Sequence, residues 1–82
     1  MEKQWTLYIL RCKDGTLYTG ITDDLSRRLA QHRAGKGAKY TRGRAPLTLV
    51  HQEPCESHSH ALRREMEIKR LSRAEKLRLI EK

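Results

Sequence analysis

Tyr8 and Tyr18 lie ten residues apart, in Leu7-Tyr8-Ile9 and Tyr18-Thr19-Gly20, with Lys13-Asp14-Gly15 between them. Arg28 and His32 follow, four residues apart. Phenol, guanidinium and imidazole groups brought to one spot suit the handling of a phosphodiester better than the filling of a core. Glu65, in a later apolar stretch, adds a carboxylate to this set. Whether these groups can cooperate depends on the elements that carry them.

Residues 5–12 (W-T-L-Y-I-L-R-C) read as a strand that is apolar on both faces, as a covered central strand would be. Residues 16–21 form its hairpin partner. Thr22 or Asp23 can cap a helix over 24–34, which Gly35 ends. Residues 35–44 make a flexible basic loop with three glycines, two lysines and two arginines. A third strand spans 47–52, bracketed by Pro46 and Pro54. Ser57 or Ser59 caps a second helix reaching about residue 71, and Ser72 caps a last one with Leu77 and Ile80 facing inward. The expected fold is α+β in two layers. A small three-stranded antiparallel sheet is flanked by helices in the order ββαβαα.

The hairpin register decides whether the tyrosines share a face. A two-residue Asp14-Gly15 turn pairs Tyr8 with Ile21 and sends the two rings to opposite sides. A three-residue loop, Lys13-Asp14-Gly15, fits a type I turn with Gly15 left-handed and a G1 bulge. Tyr8 then faces Gly20, Tyr18 faces Leu10, and both phenols lie on one side. We favour the bulged register, in which Gly20 leaves room beside the Tyr8 ring. A strand aromatic with its hydroxyl at the sheet edge is the bland alternative for each tyrosine.

On the first helix Leu25, Leu29 and His32 follow i, i+4, i+7 spacing, with Arg28 at the edge of the stripe. Two polar groups at that margin can point into a cleft beside the sheet, or remain a surface arginine and a satisfied histidine. On the second helix Ala61, Leu62, Met66 and Ile68 cover one face, and Glu65 falls within it. A carboxylate there needs a partner. An ion pair with Lys69 or Arg28 is one reading, and a metal-ligating carboxylate at the rim of the cleft is the other.

With 82 residues, one domain over residues 1–82 is expected. Net charge is +8, pI about 10.0 and mean hydropathy −0.84. Such charge points to phosphate-rich partners, nucleic acid first. A membrane partner is not expected: no segment is long enough to span a bilayer, and no amphipathic helix carries large aromatic anchors. Cys12 and Cys55 lack CxxC spacing and no signal peptide precedes them, which fits reduced thiols in a cytoplasmic protein. His51, Cys55, His58 and His60 cluster locally without a recognised ligand spacing, and read as loop and helix-start residues.

Taken together these residues resemble the GIY-YIG nuclease family. Tyr8 matches the first motif tyrosine and Tyr18-Thr19-Gly20 the second motif. The family's helix arginine, eight residues after the motif glycine, lands on Arg28. A histidine one turn later falls on His32, and the family's metal-binding glutamate on Glu65. The resemblance spans nearly the whole chain and looks closest to small, stand-alone bacterial members, which share a stretch like 37–43 (G-A-K-Y-T-R-G) and an ending like Leu71-Ser72-Arg73. Thr6-Leu7-Tyr8 replaces Gly-Ile-Tyr, and Thr19 replaces an isoleucine, so the chemical side chains are kept.

The resemblance implies a metal-dependent endonuclease that hydrolyses DNA phosphodiesters, structure-selective or non-specific, in repair or recombination. Glu65 would hold one Mg²⁺ (or Mn²⁺) and Arg28 would donate to phosphate oxygens. One tyrosine would activate or position water, with either Tyr8 or Tyr18 open to the role. His32 would hydrogen-bond the phosphate or a tyrosine hydroxyl. Lys36, Lys39, Arg42 and Arg44 are expected to track the backbone, and Tyr40 to stack on an unpaired base or pack against the helix. The partner is DNA, branched or single-stranded forms included, with RNA possible. A monomer nicks one strand, and cutting both calls for a weak homodimer or sequential nicks. The alternative is a non-catalytic nucleic-acid binding module of the same fold.

Overall fold

A computed structural model describes residues 4–37 and 39–81, with Tyr40 described by its backbone alone. β1 (Trp5–Arg11) is the middle strand of an antiparallel sheet ordered β2-β1-β3, with β2 (Leu17–Thr22) and β3 (Thr48–Cys55) on its flanks. α1 (Leu25–Arg33) follows the hairpin, and α2 (His58–Lys69) and α3 (Arg73–Ile80) follow β3. The fold is α+β in the order ββαβαα.

β1 is apolar on both faces because each face is covered. Leu7 and Ile9 pack with Ala61 and Ile68 of α2, backed by Leu71, Leu79 and Ile80. Tyr8 and Leu10 pack with Cys12 and Leu47, backed by Tyr18, Leu25, Leu29 and Leu49. Two thin cores thus share one strand.

Several local expectations need correction. Asp24, rather than Thr22 or Asp23, caps α1: its side chain accepts from the Arg27 amide, while Thr22 Oγ1 accepts from the Asp24 amide at 3.0 Å and turns the chain into the helix. β3 runs through Pro54, opposite Thr6, to Cys55. It is an edge strand, where a missing N–H is tolerated. The inner stripe of α2 is Ala61, Arg64, Glu65 and Ile68, so Met66 (54% exposed) and Leu62 (40%) lie on the open flank. Arg64 turns inward because Glu53 of β3 takes its guanidinium, from Nε at 2.8 Å and Nη2 at 3.0 Å. On α3, Leu79 and Ile80 reach the core and Leu77 stays exposed. The Ser57 and Ser72 caps form as expected. Ser72 adds a reciprocal bond with Glu75.

Candidate active site

The hairpin turn sets the site's register. The Gly15 amide donates to the Cys12 carbonyl, the Cys12 amide donates to the Thr16 carbonyl, and Gly15 sits at φ +84°. This is the bulged three-residue loop. Tyr8 therefore pairs with Gly20 and Leu10 with Tyr18, so both phenols face α1. A Cβ on Gly20 would stand 2.6 Å from Tyr8 Oη and 2.7 Å from its Cζ. The motif glycine is thus the space that the Tyr8 hydroxyl end occupies.

The same face brings the helix residues in. His32 is 2% exposed, and its Nε2 lies 2.9 Å from Tyr8 Oη. Its Nδ1 lies 2.9 Å from Thr41 Oγ1, a buried hydroxyl on the 3-10 turn Lys39–Thr41. The Tyr18 ring centroid is 5.4 Å from that of His32 and 6.3 Å from that of Tyr8. Arg28 donates from Nη1 to Gln31 Oε1 at 3.1 Å and lies close enough to Tyr8 to act on its charge. Gly37 lies over the imidazole: a Cβ there would meet Nδ1 and stand 2.7 Å from Cγ.

Electrostatics assign the protons. Burial lowers the His32 pKa, and the Arg28 charge lowers it further, so the ring is neutral at pH 7. Burial raises the Tyr8 pKa, although nearby Arg28 opposes this. Tyr8 thus keeps its proton. The arrangement in which Tyr8 Oη–H donates to Nε2 of the neutral ring leaves Nδ1–H to donate to Thr41.

Glu65 sits on the inner side of α2 with its side chain 19% exposed, and its Oε2 lies 3.4 Å from Lys69 Nζ. Of the two ion-pair partners considered, Lys69 is the one engaged, while Arg28 turns to Tyr8 and Gln31. Lys69, its partner, lines a cleft together with Tyr18 and Thr19. Its charge is felt at Tyr8. No group of three or more His, Cys, Asp or Glu among the described residues is arranged for a metal ion. One hard carboxylate suits an ion that keeps most of its waters, as Mg²⁺ does, and does not suit zinc. The His51 group is engaged elsewhere. His51 pairs with Glu53 at 2.7 Å, His58 stacks on Trp5, His60 accepts from the Glu56 amide, and Cys55 Sγ lies 3.7 Å from the Glu53 carbonyl.

The basic loop divides. Lys36, Lys39 and Arg42 are exposed. Arg44 instead pairs with Asp14 at 2.6 Å, and its carbonyl accepts from the Lys13 amide, anchoring the loop to the hairpin turn. The Tyr40 side chain lies outside the described residues. Sequence reasoning missed Thr41 and Gly37, the two loop residues that hold His32. The only signal was a glycine and a hydroxyl residue close after a core-facing histidine.

A chain whose hairpin aligns two tyrosines against a helix arginine and histidine has the frame of a GIY-YIG domain. The model of the GIY-YIG catalytic domain matches residues 4–78, and the chain belongs to this nuclease family. It is 60% identical to a UPF0213 protein of Halobacterium salinarum over 70 residues, covering 85% of this chain and 91% of the relative. A UPF0213 protein of Cupriavidus pinatubonensis is 54% identical over 77 residues, covering 94% and 86%. Among solved structures, the UPF0213 protein BH0048 from Bacillus halodurans has 50% identity and a TM-score of 0.63, covering 95% of this chain and 83% of that one.

Proposed function

We propose that this protein is a divalent-metal-dependent endonuclease that nicks DNA. The observation that carries the reading is the Tyr8–His32–Thr41 hydrogen-bonded chain, with Arg28 beside it, at the face of a nuclease fold. Tyr8 accepts a proton from the attacking water as its own passes to Nε2 of His32. The water oxygen bonds to phosphorus, the P–O3′ bond breaks, and the leaving oxygen takes a proton from solvent. The products are a 5′-phosphate and a 3′-hydroxyl, and His32 afterwards releases to solvent the proton it received. His32 spreads the acquired charge to Thr41 through Nδ1–H. Arg28 donates to the phosphate oxygens as charge develops on them. Tyr18 positions the water or the leaving oxygen. Glu65 would hold Mg²⁺ or Mn²⁺, which supplies charge neutralisation at the phosphate. Tyr8 as activator is favoured over Tyr18 because His32 Nε2 stands ready to take its proton.

Free, buried Cys12 and Cys55 and the strong positive charge support a cytoplasmic DNA substrate, with repair or recombination as the setting. The reading is tested by Mg²⁺-dependent nicking of plasmid and branched DNA. Nicking should vanish in Glu65→Ala and Arg28→Ala while both variants keep the wild-type circular dichroism spectrum. Equal nicking by the folded variants refutes it. The alternative, a binding module of the same fold, draws on the Glu65–Lys69 contact, which occupies the carboxylate. It predicts salt-sensitive binding and no turnover with any divalent ion.

A further inference from the structure

We propose that the groove between the β2 edge and the α2–α3 corner carries one nucleic-acid strand past Tyr18, with Lys69, Arg73 and Lys76 gripping its phosphates. The identity of the polymer rests on the nuclease reading above. A cleft of about 250 Å³ is lined by Leu17, Tyr18, Thr19, Lys69 and Lys76. A second, of about 190 Å³, is lined by Thr16, Leu17, Arg73 and Lys76. Leu17 and Lys76 belong to both, so the two form one groove along residues 16–19.

Its chemistry is that of a backbone track. One wall is an edge strand and the other holds three cations. Among the described residues the Lys76 side chain has no hydrogen bond or ion pair, its backbone amide donating to the Ser72 carbonyl. Among them, too, the Lys69 side chain makes only the 3.4 Å contact with Glu65. Arg73 donates from Nη2 to the Gly15 carbonyl at 3.0 Å, which pins α3 to the hairpin. Glu65 is engaged by Lys69, Glu75 by the Ser72 cap, and Asp14, beside the Gly15 carbonyl that Arg73 holds, by Arg44. Four residues at extended spacing span roughly 10–13 Å. A nucleic-acid strand carries one charge per roughly 3.4 Å of duplex axis, so three cations suit about three phosphates. Leu17, packed against the α2-side cluster, offers an apolar floor for a sugar or base.

The groove also continues the site. Tyr18 lines it on one side and faces His32 on the other, while the 35–44 loop meets His32 through Gly37 and Thr41. A strand leaving the groove over Tyr18 therefore passes the Tyr8–His32 pair before it meets Lys36, Lys39 and Arg42.

The test is fluorescence-anisotropy binding of labelled single-stranded and duplex DNA, with chelator present and salt varied. Lys76→Ala should lower the slope of log affinity against log salt by about 0.7–0.9, Lys69→Ala/Lys76→Ala by about twice that, and Lys76→Glu should bind more weakly still. Arg63→Ala/Arg78→Ala removes equal charge from exposed positions outside the groove and should leave the slope near wild type. A groove double variant that binds like this control overturns the proposal, as does a wild type that binds neither DNA. Nicking by the same proteins in Mg²⁺ separates the two readings. Groove-dependent binding without nicking sinks the nuclease and keeps the groove, whereas nicking with groove-independent binding does the reverse.

Discussion

Leu7 and Ile9 point from β1 toward α2, while Tyr8 and Leu10, their neighbours in sequence, point toward α1. The α2 side is closed by aliphatic packing and by the Glu53–Arg64 bridge at its margin. The α1 side holds as bulky a set of side chains, but its tyrosine and histidine end in polar atoms that bond to one another. The Tyr8 hydroxyl and both His32 nitrogens have buried partners, and Gly20 and Gly37 leave the space beside the two rings. One face is therefore tolerant of shape and intolerant of lost volume. The other tolerates little change in shape and depends on single atoms.

The sharpest way to break this contrast is to remove one atom from one face and a branch from the other. Tyr8→Phe should slow nicking by about 10²–10³-fold, the scale of one lost catalytic donor, with a stability loss of about 1 kcal/mol. Ile9→Ala should cost about 2–5 kcal/mol in urea melts while the nicking rate per folded molecule stays near wild type at low temperature. A wild-type rate in Tyr8→Phe would reduce the α1 face to a second core.

The glycines come next. Gly20→Ala and Gly37→Ala should each cost about 1–3 kcal/mol by overpacking, read from denaturant midpoints. Midpoints within error of wild type would mean that the Tyr8 and His32 rings are not confined as described. The pH dependence is smaller and signed. The folded His32 pKa lies below its ordinary 6.5, so the unfolded chain binds the extra proton first. Its contribution to stability is full above 6.5 and is lost as pH falls toward the lowered folded value. Nicking should fall over the same range, because protonated Nε2 no longer accepts from Tyr8. His32→Asn should flatten the stability change, measured by thermal melts across pH; an unchanged pH slope contradicts a buried neutral ring.

The smallest effect belongs to the margin of the α2 face. The Arg64 guanidinium, with His51 assisting, lowers the Glu53 pKa, so the bridge stabilises above the ordinary carboxylate value of 4.5 and weakens as pH falls through the lowered one. The pair is only partly buried, so Glu53→Gln should cost about 0.5–1 kcal/mol at pH 7 with no change in nicking. A large loss of activity there would erase the distinction between the faces.

What could be read from the sequence was local. The Lys13-Asp14-Gly15 loop and Gly20 together favour the observed register, because a turn type and a missing side chain leave marks at fixed offsets. The Ser57 and Ser72 caps were legible for the same reason. Glu65 stood out as a carboxylate inside an apolar stripe. The contacts that escaped join distant segments: Thr41 and Gly37 to His32, Glu53 to Arg64, and Arg44 to Asp14. Met66 was misplaced because hydrophobicity alone drew the stripe on α2. The Arg64 bridge had rotated that stripe toward Ala61 and Ile68.

The three-residue turn at 13–15 also governs how this chain tolerates changes in length. The face of each β2 residue follows from its partner on β1, so Tyr18 keeps its side while Cys12 still closes the loop against Thr16. Extra residues beyond that closing pair lengthen the loop at a modest entropic cost, under about 1 kcal/mol. Loss of Gly15 is harsher: it leaves Lys13-Asp14 to make a two-residue turn without the glycine that such turns favour. A one-residue slip that relieved this would turn Tyr18 toward the aliphatic core and Thr19 toward His32, and the site would be lost without a change to any of its residues.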